Sequence, residues 1–263
     1  ELLLPINRAK KIIIIGDHKQ LPPVIDPAFY DEKKVNIRDI VDEESRDKFF
    51  ATSLFEKLYE TCPADNKCML DIQFRMPTKI GRMISNLFYD GKLKSAPICD
   101  TKSALFFGNN IFFLNMDSDR DYHEKQDKTD SGKTGPYNES EIKIAAALIK
   151  KLRENFSGRI AVITPYKNQN KKLQQRFKLE RLEKVVVNTI DAFQGDEADI
   201  VIYCTTRSQV STNYFSDAAR LNVAFSRARN LLIIIGALKY FRKYKSGHLM
   251  QQVADYLESR GRI

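Results

Sequence analysis

Two arginines two residues apart, Arg227 and Arg229, stand immediately before the apolar run Leu231–Ile235. A guanidinium stays charged at any physiological pH and offers a rigid fork of donors, which a phosphate can accept in two places at once. Upstream, NTIDAFQGDEAD at 188–199 sets Gly195 and Glu197 at the head of a second apolar run, 199–206. Gly195 permits a tight turn or a close backbone approach, and Glu197 is an acceptor suited to sugar hydroxyls. Such groups are expected at the carboxyl ends of parallel strands, where nucleotide-binding α/β proteins keep their polar residues. Arg227 is the candidate phosphate finger; Arg229 is assigned to ion pairing or to compensating a helix C-terminus.

Three further strings carry candidates. In IIIIGDHKQLPPV (12–24) an apolar run breaks at Gly16-Asp17, and Gln20 follows, where its amide can touch a terminal phosphate or an attacking water. In LDIQFRMP (70–77), Arg75 precedes Pro77 and so lies near a helix N-terminus, next to Phe74. TPYKNQ (164–169) supplies Thr164 and Tyr166, and Thr189 stands next to last in the run 184–190; hydroxyls and a ring at strand ends suit a sugar–phosphate backbone. Each has a plainer reading. Gln20 is a surface residue, Phe74 is core, Arg75 makes an exposed ion pair worth little, and TPYKNQ opens a capped helix with a solvated basic face. SGKTG (131–135) is not a phosphate loop, because the GxxxxGK[ST] spacing is missing and no buried strand leads into it.

The elements that must position these residues follow from periodicity. Runs at 11–16, 110–116, 159–165, 184–190, 199–206 and 231–236 are nearly continuous in Ile, Val and Phe, the mark of strands buried on both faces. Helical patterns lie between them at 139–155, 168–179, 217–228 and 248–259. The first carries Ile142, Ala145, Ala146, Ile149 and Leu152 on one stripe, with Asn138 or Ser140 as cap. Strands alternating with helices predict an α/β protein with a doubly wound, mostly parallel sheet in three αβα layers. Residues 26–50 read as a charged excursion and 117–138 as a flexible surface loop.

Composition bounds the partners. The 263 residues carry a net charge of +9, placed unevenly: 150–263 hold 21 Lys and Arg against 10 Asp and Glu, whereas 1–149 hold 22 against 24. A basic half suggests a polyanion, most simply nucleic acid, against the plainer reading of a solvated surface. Four cysteines without CxxC spacing and three histidines give no basis for a zinc site or a disulfide framework. A reducing, intracellular compartment is expected, the cytoplasm or, in a eukaryote, the nucleus. The longest apolar run, Leu231–Leu238, is too short to cross a bilayer, so no membrane partner is expected. The opening ELLLPINRAKK lacks a signal peptide and a Met, and reads as the interior of a longer chain.

Taken in order, GDHKQLPPV, SLFEKL, QFRMP, FYDGKL, TPYKNQ, TIDAFQGDEADIVI and RLNVAFSRAR resemble the later motifs of superfamily 1 helicases, in the 1B branch of the nonsense-mediated-decay helicase and senataxin. The strings cover residues 11 to about 237. The resemblance implies an ATP-dependent helicase or translocase of RecA-like, P-loop NTPase fold on single-stranded DNA or RNA, using ATP and Mg2+. Gln20, Arg75 and Arg227 are the implied γ-phosphate contacts, Phe74 the adenine partner, and Gly195 and Glu197 the residues near γ-phosphate and ribose. Thr164, Tyr166 and Thr189 are the implied strand contacts. Residues 1–67 would be the tail of a first RecA-like domain and 68–263 the second. The phosphate loop and the Asp-Glu metal pair would lie in the remainder of the first domain, in cis, leaving these 263 residues inactive alone with no metal ligand of their own. Two other readings stand beside this one: a degenerate nucleic-acid-binding module, and a motor fused to a nuclease or other effector.

Overall fold

The computed structural model describes residues 6–22, 53–100, 108–128, 132, 134–210, 212–243 and 249–260. The excursion expected at 26–50 lies outside the described residues. Two compact units are present, Glu1–Leu70 and Asp71–Ile263.

In the first unit, α1 (Leu54–Thr61) starts at Ser53, whose hydroxyl accepts the Glu56 amide at 3.1 Å. That bond satisfies one of the donors a helix leaves open at its N-terminus. Tyr59 on this helix stacks on His18 at 5.1 Å between ring centroids, and Lys67 Nζ lies over the Tyr59 ring, 5.0 Å from its centroid. The strand expected at 11–16 is not formed: the segment has no ladder partner among the described residues, and Ile13 and Ile15 are 91 % and 82 % exposed. A β-branched run becomes a strand only where a neighbour takes its backbone groups.

The second unit begins with a two-residue strand β1 (Ile72–Gln73), helix α2 (Thr78–Phe88) and β2 (Lys94–Ser95), which pairs with β1 in parallel. The chain continues through β3 (Ile111–Asn115), the hairpin β4 (Lys125–Lys128) and β5 (Thr134–Tyr137), α3 (Glu139–Arg153), β6 (Ile160–Thr164) and α4 (Lys167–Leu179). Then come β7 (Val185–Thr189), β8 (Ala198–Cys204), α5 (Ala218–Phe225), β9 (Ala228–Gly236), α6 (Leu238–Lys243) and α7 (Leu249–Glu258). Five strands form one parallel sheet in the order β3-β9-β8-β6-β7, flanked by helices, an α/β RecA-like arrangement. Every residue of β6 is buried, and Val162 faces Ile202 in register, which is why these runs read as continuous rather than alternating.

The predicted stripe on α3 is the buried one, Ile142 through Leu152, and Asn138 caps the helix by accepting the Ser140 and Glu141 amides. The helix expected at 217–228 is shorter. It ends at Phe225, and Arg227 occupies the turn into β9. The segment 117–138 is not simply a loop. It contains the antiparallel hairpin β4–β5, in which Lys125 pairs with Tyr137 and Lys128 with Thr134. Polar residues hold it from outside: the Asn168 amide donates to the Asp127 and Gly135 carbonyls at 2.9 and 2.8 Å, and Lys172 pairs with Asp127 at 2.6 Å.

Candidate functional site

Glu197 and Arg227 each precede a strand of a parallel sheet, so both lie at its amino edge. That corrects the expectation of carboxyl ends. The edge is shaped by a register shift between Ala198 and Ile200 at the start of β8, where Asp199 accepts the Arg159 amide at 2.8 Å. Gly195 takes φ +84° with open space where a Cβ would sit, so it is a glycine for its backbone conformation and not for a close approach.

Four arginines surround the turn. Arg75 donates through Nε to Glu197 Oε2 at 2.8 Å, and Arg229 Nη1 lies 3.2 Å from Glu197 Oε1. One part-exposed carboxylate thus bridges two part-exposed guanidinium groups, drawn from positions 154 residues apart in the chain. Arg227 differs from the expected projecting finger. It is only 3 % exposed, and it donates through Nε to the Val223 carbonyl at 3.0 Å, through Nη1 to Asp196 O at 3.5 Å and through Nη2 to Ser226 Oγ at 3.4 Å. Its backbone acceptors sit at the end of α5 and on the glycine turn, so it braces the edge that Arg75 and Arg229 present. Asp196 pairs with Arg159 through both oxygens; that hydrogen bonding lowers its pKa against the opposing effect of burial, with the Glu197 amide adding to the depression.

Arg75 is aimed by a device the motif string did not reveal. The Gln73 side chain donates to the Met76 carbonyl at 2.9 Å and to Ser95 Oγ at 2.7 Å, and accepts the Met76 amide at 2.8 Å. This closes the loop that carries Phe74 and Arg75 onto the start of α2. Gly81 makes room for it: a Cβ there would lie 2.5 Å from Ser95 Oγ and 2.8 Å from Gln73 Nε2. Phe74 is 66 % exposed, so the plainer reading of a core aromatic does not hold.

Gln20 belongs to the first unit. Its amide donates to Asp17 Oδ2 at 2.7 Å, inside a turn closed by the Gln20 amide nitrogen on the Asp17 carbonyl at 3.1 Å.

Thr164, Tyr166 and Thr189, the residues expected to meet a strand, lie at the carboxyl edge. Thr164 ends β6 and Thr189 ends β7, opposite each other in register. Thr189 is part-exposed, but Thr164 is fully buried and shares a hydrogen bond with Thr206 at 3.1 Å. Tyr166 is also buried; its hydroxyl donates to Thr212 at 3.1 Å and accepts from Arg207 Nε at 3.1 Å, while the Arg207 guanidinium lies 5.0 Å over its ring. Arg207 in turn pairs with Glu124 at 2.7 Å. Thr164 and Tyr166 therefore do not face solvent as expected, and act here by fixing their neighbours. Burial raises the Tyr166 pKa, keeping its hydroxyl neutral and able to donate.

The donor set at the amino edge suits a phosphate, since two fixed cations share one displaceable carboxylate. Among the described residues no three His, Cys, Asp or Glu gather as a group that could hold a metal ion. Nor is any described helix long and apolar enough to cross a membrane.

A family model described as an AAA domain matches residues 50–239. Helicase sen1 of Schizosaccharomyces pombe is 29 % identical over 91 % of this chain and 14 % of its own length. Regulator of nonsense transcripts 1 of Dictyostelium discoideum is 30 % identical over 92 % of this chain and 18 % of its own. The solved structure of PRRSV helicase covers 88 % of this chain and 31 % of its own at 15 % identity and a TM-score of 0.39, too slight a likeness to carry an argument. The chain spans only 14 to 31 % of the first relatives it matches.

Proposed function

Because the chain belongs to this AAA-domain family, and within superfamily 1 to the helicase branch of the nonsense-mediated-decay helicase and senataxin, we propose that it forms the second RecA-like domain, residues 68–263, of an ATP-dependent helicase or translocase acting on single-stranded nucleic acid. The two edges of its sheet divide the work. The amino edge meets the nucleotide and the carboxyl edge meets the strand.

The observation that carries this reading is the Arg75–Glu197–Arg229 bridge. Bound ATP supplies a transferable phosphoryl group whose charge must be neutralised as it moves. Arg75 and Arg229 are the fixed donors that can meet that charge, and arginine fingers of this kind contribute ~10³–10⁵ in rate where they have been measured. Glu197 holds both guanidinium groups until phosphate competes for them, and a carboxylate freed of one partner can accept a ribose hydroxyl. Arg227 stays with Val223 and Asp196 and keeps the turn in place. Phe74, exposed beside Arg75, offers a flat apolar face to an adenine ring.

The sequence holds no GxxxxGK[ST] loop, so these 263 residues alone are expected to turn over no ATP. Strand-stimulated ATP hydrolysis by the whole protein, with Arg75→Ala beside the wild type, tests the assignment. Turnover that survives the substitution removes Arg75 from the site.

A further inference from the structure

At the carboxyl edge, Thr206 has φ +70°. A β-branched residue seldom tolerates that region, because its Cβ crowds the backbone. The Arg207 amide donates to the Thr205 carbonyl at 2.8 Å, closing a three-residue turn centred on Thr206, the strained hand of the γ-turn. Strain of this kind persists only where surroundings over-determine it, and it gathers at functional positions.

What holds the turn is a carboxylate from another element. Glu141, in the first turn of α3, is fully buried, and both its oxygens accept the Thr206 amide, at 2.8 and 2.9 Å. Oε1 also accepts the Tyr122 hydroxyl at 2.7 Å and the Thr205 hydroxyl at 3.0 Å, and Oε2 accepts the Gln169 amide at 3.2 Å. The Asn138 amide donates to the Thr206 carbonyl at 3.4 Å, and the Thr206 hydroxyl meets Thr164. Every polar atom of Thr206 is thus engaged, and the next residue, Arg207, is delivered onto Tyr166 and Glu124. A helix needs only a surface acid to complement its dipole. Burying one among five donor contacts is far costlier than that purpose requires.

We infer that Glu141 is a positioning residue of the strand-binding edge, holding Thr206 in its left-handed turn and thereby setting Thr164 and Arg207, without touching the strand itself. The inference rests on the assignment of that edge to nucleic acid.

A double-mutant cycle between Glu141→Gln and Thr206→Gly tests it, read by urea unfolding and by anisotropy of a labelled single-stranded oligonucleotide. Glutamine keeps the volume but turns one acceptor into a donor facing donors. Glycine adopts φ +70° without strain and needs no holding. Thr206→Gly is therefore expected to restore part of the urea midpoint lost by Glu141→Gln, a coupling that independent sites would not show. Glu141→Gln alone is expected to weaken strand binding about tenfold, the equivalent of one charge-assisted hydrogen bond. Additive effects on unfolding overturn the inference, and so does unchanged strand affinity in a folded Glu141→Gln protein. A wild type that binds no strand while the unfolding coupling is present sinks the nucleic-acid reading instead, and leaves Glu141 as the residue that holds the turn.

Discussion

Gly81→Ala sets two effects of opposite sign against each other. Position 81 lies inside α2, where alanine is favoured over glycine by about 1 kcal/mol. Propensity alone therefore predicts a more stable protein. The added methyl, however, would sit 2.5 Å from Ser95 Oγ and 2.8 Å from Gln73 Nε2, closer than real contacts allow. The amide can move, since it ends a flexible side chain, but moving it breaks the clamp on Met76 and Ser95, three hydrogen bonds in all. At roughly 1 kcal/mol each the loss is about 3 kcal/mol, so the net is a destabilisation of about 2 kcal/mol. For a unit of this size that lowers the melting temperature by about 4–8 °C. Urea and thermal unfolding measure it, and Ser95→Ala in the same protein should return part of the loss by vacating the nearest atom. A Gly81→Ala protein as stable as the wild type, or more so, refutes the role given to Gln73.

Glu197→Gln removes the carboxylate that Arg75 and Arg229 share. All three groups are part-exposed, so stability should change by less than about 1 kcal/mol, while the whole protein's KM for ATP rises; a large loss of stability with KM unchanged would make the cluster structural. Strand affinity should fall steeply with added salt, because phosphate contacts release counterions. An affinity indifferent to salt would dissociate the basic half of the chain from binding.

The sheet was legible because β6, β8 and β9 carry nearly continuous apolar runs, and the stripe on α3 because its five apolar positions recur at helical spacing. The edge on which the arginines lie was implicit in the same string. A residue that precedes a strand lies at its amino end, and both Glu197 and Arg227 precede theirs. The run at 11–16 misled because pairing depends on a neighbour, which no single run contains. The hairpin at 125–137 was hidden because its support comes from Asn168 and Lys172, some forty residues on. Glu141 looked like any acid in a first helical turn. Only the fold brings Tyr122, Gln169, Thr205 and Thr206 around it. Arg227 was found by type, but its burial follows from carbonyls that a motif does not display.

The division of labour between the two edges is tested most directly by Arg75→Ala in the whole protein, with ATP turnover and single-strand affinity measured on the same preparation, DNA and RNA separately. Turnover should be lost while affinity stays within a few-fold, since Arg75 lies at the amino edge with Glu197 and Ser226. Turnover that persists, or strand binding that disappears along with it, would contradict the account.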